Sequence, residues 1–507
     1  MAGAAALPLT AFAAPLLYTV PPGVNNAALG SAIAALGDLN ADGTPDFAVG
    51  DPGFTAPGPL AGSGQVLILS GADGSTLHEL LGTPAAGQAF GTALAALDAN
   101  GDGIPDLAVG APGGSGAVWI YSGTNGSVLQ SITAASPGAG SLFGQALANA
   151  GDQNGDLKDD LFAGSPGADT ASGRVAVLSG GDGSLILDIL PGVVGNEFGT
   201  AVAAVADLSS DGRRDLAVGA PAFSAGLGRI QLLASSSGAE IAVLPGTVAA
   251  ARLGSKVGGV DDRNADTVAD LIVGTGSGGG AFLVSGSNLA VITDLSLAGA
   301  AAGLPVVPGG SLDVDANGTT ELLVGYPGAL PLASVRVLPA PPVPEPGAYD
   351  SVVAGSGLGS AIAVIPGLGF ALGEPLAAGG AVHVYGFDSD GDGVADIHDH
   401  CPDSILDPTV IFGDVNTGVE NRVDADGCSI ADLVAKLKPA SGWKNHGQFV
   451  SSVGKVVKRL QRAGLITAAE AKALKTGAAH SNVGKPVKPP KPPKPVKPTK
   501  PTKPTKP

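Results

Sequence analysis

The 507 residues predict an all-β fold assembled from repeats. Three features point there. Short apolar runs separated by Gly- and Pro-rich turns read as many brief strands. One loop of oxygen-bearing side chains recurs down the chain, with spacings of 60, 54, 55, 55 and 51 residues between its first positions. Each copy is followed by an apolar strand that ends in Gly-x-Pro or a remnant of it. Self-similarity of this kind marks a repeat architecture. Gly (80) and Pro (40) approach the level of low-complexity chains, but 44% of residues are apolar and lie in ordered runs, so a large core is available.

The loop itself sets the chemistry. In the first copy, Asp38, Asn40, Asp42 and Asp46 hold positions 1, 3, 5 and 9, and the carbonyl of Thr44 at position 7 can turn the same way. Gly43 permits the sharp turn. The second copy offers Asp98, Asn100, Asp102, Ile104 and Asp106, and the third Asp152, Asn154, Asp156, Lys158 and Asp160. The fourth offers Asp207, Ser209, Asp211, Arg213 and Asp215, and the fifth Asp262, Asn264, Asp266, Val268 and Asp270. The sixth has Asp313, Asp315, Asn317, Thr319 and Glu321. Residues at position 7 would contribute only their carbonyls. Hard cations such as Ca2+ take about six to eight oxygens, and alternating carboxylates in a tight loop supply them. The acids crowd one another, so an ion would relieve repulsion and stiffen the turn. Solvated turn residues are the competing reading. It gains most ground in the fourth copy, with its Ser and two Arg, and in the sixth, where Glu321 replaces the closing Asp.

Each loop is preceded by an apolar-Gly pair: Leu29-Gly30, Phe90-Gly91, Phe143-Gly144, Phe198-Gly199 and Leu253-Gly254. Each is followed by Gly50-Asp51-Pro52, Gly110-Ala111-Pro112, Gly164-Ser165-Pro166, Gly219-Ala220-Pro221, Gly274-Thr275 or Gly325-Tyr326-Pro327. Taken together, these residues resemble the FG-GAP repeat of integrin α-subunits and of many bacterial surface proteins. The resemblance implies a seven-bladed β-propeller over 15–386, with four antiparallel strands per blade and calcium loops between the first two strands. A seventh repeat begins at Leu358-Gly359-Ser360, lacks the acidic loop and keeps Gly373-Glu374-Pro375, so it should bind no ion. After Tyr385 no fourth strand follows. Leu16 to Val20 fits that slot and should close the ring, leaving no open edge.

Past the propeller, residues 387–430 carry Asp388, Asp390, Asp392, Val394, Asp396 and Asp399, then Cys401-Pro402. The spacing also scans as an EF-hand loop, but Cys-Pro denies it a following helix. The stretch resembles a thrombospondin type 3 repeat, which implies an extended, helix-free calcium linker. Val423 to Cys428 is similar to the second half of such linkers. Cys401 and Cys428, the only cysteines, are expected to pair, with two unpaired thiols as the alternative. Two cysteines do not make a zinc site, and His398 and His400 fit a solvated loop. Phe449, Val450, Val453, Val456, Val457 and Leu460 recur at helical spacing, and Thr467 to Glu470 is a capping box, so 431–484 reads as a small helical hairpin. His446 reads as a structural or surface residue ahead of a ligand. The Lys/Pro tail 485–507 places Lys at every third residue, one edge of a polyproline II rod. Such an edge suits anionic envelope polymers, the acidic disc itself, or an inert spacer.

The formal charge is −18, and removing the eight Lys of the tail leaves −26. So acidic a body argues against nucleic-acid binding. No apolar run reaches the length of a membrane span. Met1 to Ala14 resembles the late half of a secretory signal without its basic region, with a plain apolar terminus as the alternative. No G-x-S-x-G elbow, P-loop or matched nucleophile and base is present. The expectation is therefore a secreted or surface-held calcium-binding scaffold for a protein or glycan. A channel-based hydrolase or lyase and a structural surface-layer spacer are the alternatives.

Overall fold

The computed structural model describes residues 15–485 except 24, 56–61, 83–86, 134–139, 192, 278–279, 297–306, 313–319, 328–333, 339–346, 351–356, 378, 388–393, 397, 402–403, 405–406, 425 and 440–441. The leader-like segment 1–14 and the tail beyond Lys485 lie outside these residues. The chain divides into two compact units, at Ile397 and His398.

The first unit holds seven four-stranded antiparallel sheets. Blade 1 runs Ala32–Gly37, Asp46–Asp51, Gln65–Leu69 and Thr76–Leu81. Blade 2 runs Ala93–Leu97, Asp106–Ala111, Ala117–Tyr121 and Val128–Thr133. Blade 3 is Ala146–Gly151, Asp160–Gly164, Val175–Leu178 and Leu185–Ile189, and blade 4 is Ala201–Ala204, Leu216–Gly219, Arg229–Leu233 and Glu240–Pro245. Blade 5 is Leu253–Gly259, Leu271–Thr275, Ala281–Val284 and Val291–Asp294. Blade 6 is Val307–Leu312, Glu321–Tyr326, Ser334–Leu338 and Gly347–Asp350. Blade 7 takes Ala361–Ile365, Gly369–Gly373 and Val382–Gly386 from the end of the unit and Leu16–Val20 from its start. That last strand pairs Tyr18 with Val384 and Val20 with Val382, so the ring closes as expected. The first strands of successive blades touch all the way round, and those of blades 1 and 7 meet.

Burial explains the strand patterns. Seven apolar clusters lie one between each pair of neighbouring blades, such as Leu36, Ala48, Phe90 and Leu107 between blades 1 and 2. Every residue of the second strands Asp46–Asp51 and Asp106–Ala111 is buried, because neighbours cover both faces. Hence their near-continuous apolar runs. Fourth strands such as Thr76–Leu81 keep exposed positions.

The paired glycines of the repeat meet between blades. A Cβ on Gly110 of blade 2 would lie 2.0 Å from the Gly144 carbonyl oxygen of blade 3, and one on Gly50 would lie 2.1 Å from that of Gly91. Gly373 and Gly30 meet in the same way across the closure. No larger residue fits where two backbones come this close.

The second unit contains the expected helical hairpin but departs from the expected extended linker. Thr409–Phe412 and Val415–Glu420 form a β-hairpin, and Ile430–Ala435, His446–Arg462 and Ala468–His480 are helices. One core gathers Val410, Phe412, Val419, Leu433, Phe449, Val453, Leu460 and Leu474 with both cysteines. The residues from Thr409 to Ile430 therefore belong to a folded domain rather than to an extended rod. The alternating apolar residues around Val410 and Val419 outweigh the acidic pattern. Cys401 and Cys428 are bonded. Thr467 and Glu470 form the expected capping box, and the helix runs to His480, past Lys475. Ring nitrogens of His446 face the carbonyls of Val483 and Ala479, a structural role.

Candidate metal centres

Five acidic loops, each joining the first and second strands of blades 1 to 5, share one hydrogen-bond scheme. The position-1 carboxylates Asp38, Asp98, Asp152, Asp207 and Asp262 accept the position-5 N–H at 3.1–3.2 Å. They also accept the position-6 N–H, from Gly43, Gly103, Leu157, Gly212 and Thr267, at 2.8–2.9 Å. The position-5 carboxylates Asp42, Asp102, Asp156, Asp211 and Asp266 accept the N–H of Thr44, Ile104, Lys158, Arg213 and Val268 at 2.8–3.0 Å. At position 3, the amides of Asn40, Asn100, Asn154 and Asn264 donate to the position-5 carboxylate. The acids are thus turned inward by the backbone. Each carboxylate oxygen has two lone-pair directions, so acceptor capacity remains for a cation.

Position 9 behaves differently. Asp46, Asp106, Asp160, Asp215 and Asp270 are fully buried. One oxygen of each accepts the position-2 N–H, from Leu39, Ala99, Gln153, Leu208 and Arg263, at 2.6–3.1 Å. The other accepts an N–H from the turn between the third and fourth strands, at Gly71, Gly123, Gly180, Ser235 and Gly286, at 3.0–3.1 Å. Position 9 therefore ties the loop to its own blade. This tie was not read from the sequence, although the recurring Ser-Gly of that turn (Ser70-Gly71, Ser122-Gly123, Ser179-Gly180, Ser285-Gly286) is a signal for it. Hydroxyls of the same turn reach the position-5 carboxylate: Ser285 and Ser287 donate to Asp266 at 3.0 and 2.8 Å.

Electrostatics separate the two positions. Burial pushes the carboxyls of Asp46, Asp106, Asp160 and Asp270 upward against their backbone donors. The N–H donors of Thr44, Ile104 and Val268 hold Asp42, Asp102 and Asp266 below the usual range. Among the described residues, no Lys or Arg ion pair joins a carboxylate at position 1, 5 or 9 of these loops, although in blade 5 Arg263 pairs with Asp261, just ahead of position 1, at 2.6 Å. In blade 5 the carboxylate oxygens of Asp262, Asp266 and Asp270 converge within 4.8 Å of one another. Convergent hard oxygens without a cationic partner fit a divalent ion.

The remaining predicted ligands are less complete. Asp313, Asp315, Asn317 and Thr319 lie outside the described residues, as do Asp388, Asp390 and Asp392. Glu321 is buried at the start of its strand, where the other blades have Asp. Asp399 accepts the N–H of Cys401 at 2.6 Å, and Val394 and Asp396 adjoin residues outside the described set. Blade 7 joins its first two strands by a short turn at 366–368, without acids.

The FG-GAP repeat model matches residues 29–69, 90–121 and 198–233, in blades 1, 2 and 4. Human phosphatidylinositol-glycan-specific phospholipase D is 43% identical over 105 residues, covering 17% of this chain and 12% of that protein. Human integrin alpha-7 is 39% identical over 130 residues, covering 24% of this chain and 11% of that protein. Integrin alpha-4 of Xenopus laevis is 29% identical over 149 residues, covering 26% and 14%. The chain thus spans about an eighth of the length of these curated relatives. With seven blades closed by the paired glycines and acidic loops shared by blades 1 to 5, the first unit is an integrin-α-like β-propeller of FG-GAP repeats.

Proposed function

We propose that this chain is a calcium-stiffened ligand-binding scaffold, secreted or held at the cell surface. The observation that supports the reading is the loop scheme repeated in five blades, with Asp262, Asp266 and Asp270 converging within 4.8 Å in blade 5 and, among the described residues, no ion pair to any of the three. Positions 1, 3 and 5 and the position-7 carbonyl would hold the ion. Position 9 would lend a carboxylate already anchored to the blade. Bound calcium supplies positive charge that offsets the repulsion among the acids. The backbone donors hold those acids in place beforehand, so little order is lost on binding. The disulfide of the second unit suits an oxidising compartment. Among the described residues, no helix is long and apolar enough to cross a membrane. A protein or glycan would be met by the loops of the disc, and the Lys/Pro tail would reach anionic envelope polymers.

The test is native mass spectrometry and thermal melting with calcium and with excess EDTA. About five to seven ions should bind, and chelation should lower the melting temperature by mass action on the folded state. Asp102→Asn should remove one ion and leave the others. A melt indifferent to EDTA would overturn the calcium reading. Calcium-dependent adhesion to matrix or glycan arrays tests the ligand-binding half, whereas hydrolysis surviving EDTA would replace it with channel catalysis.

A further inference from the structure

The first strands of the blades form the wall nearest the ring axis, and that wall is almost without charge. Ala32–Gly37, Ala93–Leu97, Ala146–Gly151, Ala201–Ala204, Val307–Leu312 and Ala361–Ile365 hold no titratable side chain. The exception is Lys256, in Leu253–Gly259 of blade 5. Its strand shifts register between Leu253 and Lys256. Beyond the shift, Val257 packs into the apolar cluster shared with blade 4. Gly258 faces the other way: a Cβ there would lie 2.6 Å from the Pro308 side chain in the first strand of blade 6. Strand alternation puts Lys256 on the Gly258 side, towards Pro308-Gly309-Gly310, which presents little bulk.

Lys256 is half-buried. It lies on the innermost strand of its blade, beside the first strand of blade 6. Its amine has no hydrogen bond or ion pair among the described residues, and burial, with no charged neighbour contributing, draws its pKa below the usual lysine range. An ammonium held away from bulk water without a partner is unfavourable, and a nearby anion gains from the low dielectric around it.

We infer that Lys256 anchors an anion-binding site inside the propeller ring, taking the carboxylate or another small oxyanion of a ligand that enters along the axis. The site lies on the strand and not in the acidic loops, so it stands apart from the calcium reading.

The test is calorimetric titration of the full chain with sodium acetate and with sodium sulfate, at constant ionic strength and fixed calcium. Wild type should bind one of them saturably at one site. Lys256→Met should weaken that binding at least tenfold, and Lys256→Arg should retain part of it. The preferred anion names the ligand class. No saturable binding by wild type, or equal binding by Lys256→Met, overturns the site. Should the Met variant fail to fold, acetylation of the wild type read by peptide mass spectrometry decides. The anion should slow modification of Lys256 and leave that of Lys455 and Lys458 unchanged, and no protection would refute the inference.

Discussion

Position 6 of the loops shows how far one residue can depart from its ideal type. The turn requires a left-handed backbone there, and Gly43, Gly103 and Gly212 supply it with φ of 92°, 80° and 86°. Leu157 and Thr267 occupy the same slot with φ of 66° and 72°. A side chain in this region costs about 1–2 kcal/mol, and Leu157 is also 88% exposed. Leu157→Gly should therefore stabilise blade 3. The gain should be about 0.5–1 kcal/mol, since glycine's greater freedom in the unfolded chain offsets part of the relief. Chemical denaturation in the presence of calcium checks it, and a destabilised variant would show that the leucine packs on something in solution. The alternation of acids announced the loop, because ligand chemistry fixes residue types. The position-9 tie was hidden, because a buried aspartate bonded to N–H groups of its own blade has the same letter as a ligand.

At the scale of elements, the loops do more than face solvent. Gln153 donates to the Arg214 carbonyl at 3.0 Å and accepts from Ser235 at 2.7 Å, and Arg263 donates to the Thr320 carbonyl at 2.6 Å. In blades 3 and 5 position 2 therefore reaches the following blade, so ordering one loop steadies the next interface. The second unit relies on a different device. Arg422 bonds Glu470 at 2.7 Å and Glu420 at 2.9 Å, and this contact with the Thr467 cap lowers the Glu470 pKa from an ordinary 4.5 to about 2. A depressed folded pKa contributes stability that is present above 4.5 and fades as pH falls towards 2. Hydrogen-exchange protection factors across Ala468–His480, corrected for the intrinsic pH dependence of exchange, should thus fall over that window, and Arg422→Met should flatten the dependence. An unchanged profile in the variant would show the pair to be without effect. Helical spacing exposed His446–Arg462, and the capping box at Thr467 exposed Ala468–His480. Ile430–Ala435 was missed, although Ser429 and Asp432 form a capping box of the same kind as Thr467 and Glu470. The acids Asp424 and Asp426 just ahead of it fitted the expected linker instead.

For the whole molecule, closure rests on Leu16–Val20. Tyr18 donates to the Gly71 carbonyl of blade 1 at 2.7 Å, while Leu17, Tyr18 and Val20 pack in the cluster between blades 7 and 1. Deleting residues 1–22 should cost at least about 3 kcal/mol from the apolar surface lost. It should also leave Val382–Gly386 as an open edge prone to association. Melting and light scattering would show both effects, and a variant as stable and monodisperse as wild type would mean the ring does not need this strand. The closure was legible because six repeats have a fourth strand and the seventh lacks one. The blade count, too, followed from the repeats. The domain after the propeller was less legible, because its hairpin occurs once and no repetition separates its pattern from chance.

The same closing pair decides how the disc would respond to mechanical load. Its strands are antiparallel, and the Gly386 N–H donates to the Pro15 carbonyl at 3.0 Å, so both chain exits leave from one end of the ladder. Tension applied through both exits would peel these hydrogen bonds in succession instead of shearing them together. Tension entering through one exit and leaving through a ligand on the disc would spare the seam. A tether on a single side is therefore the attachment under which this ring would stay shut in flow.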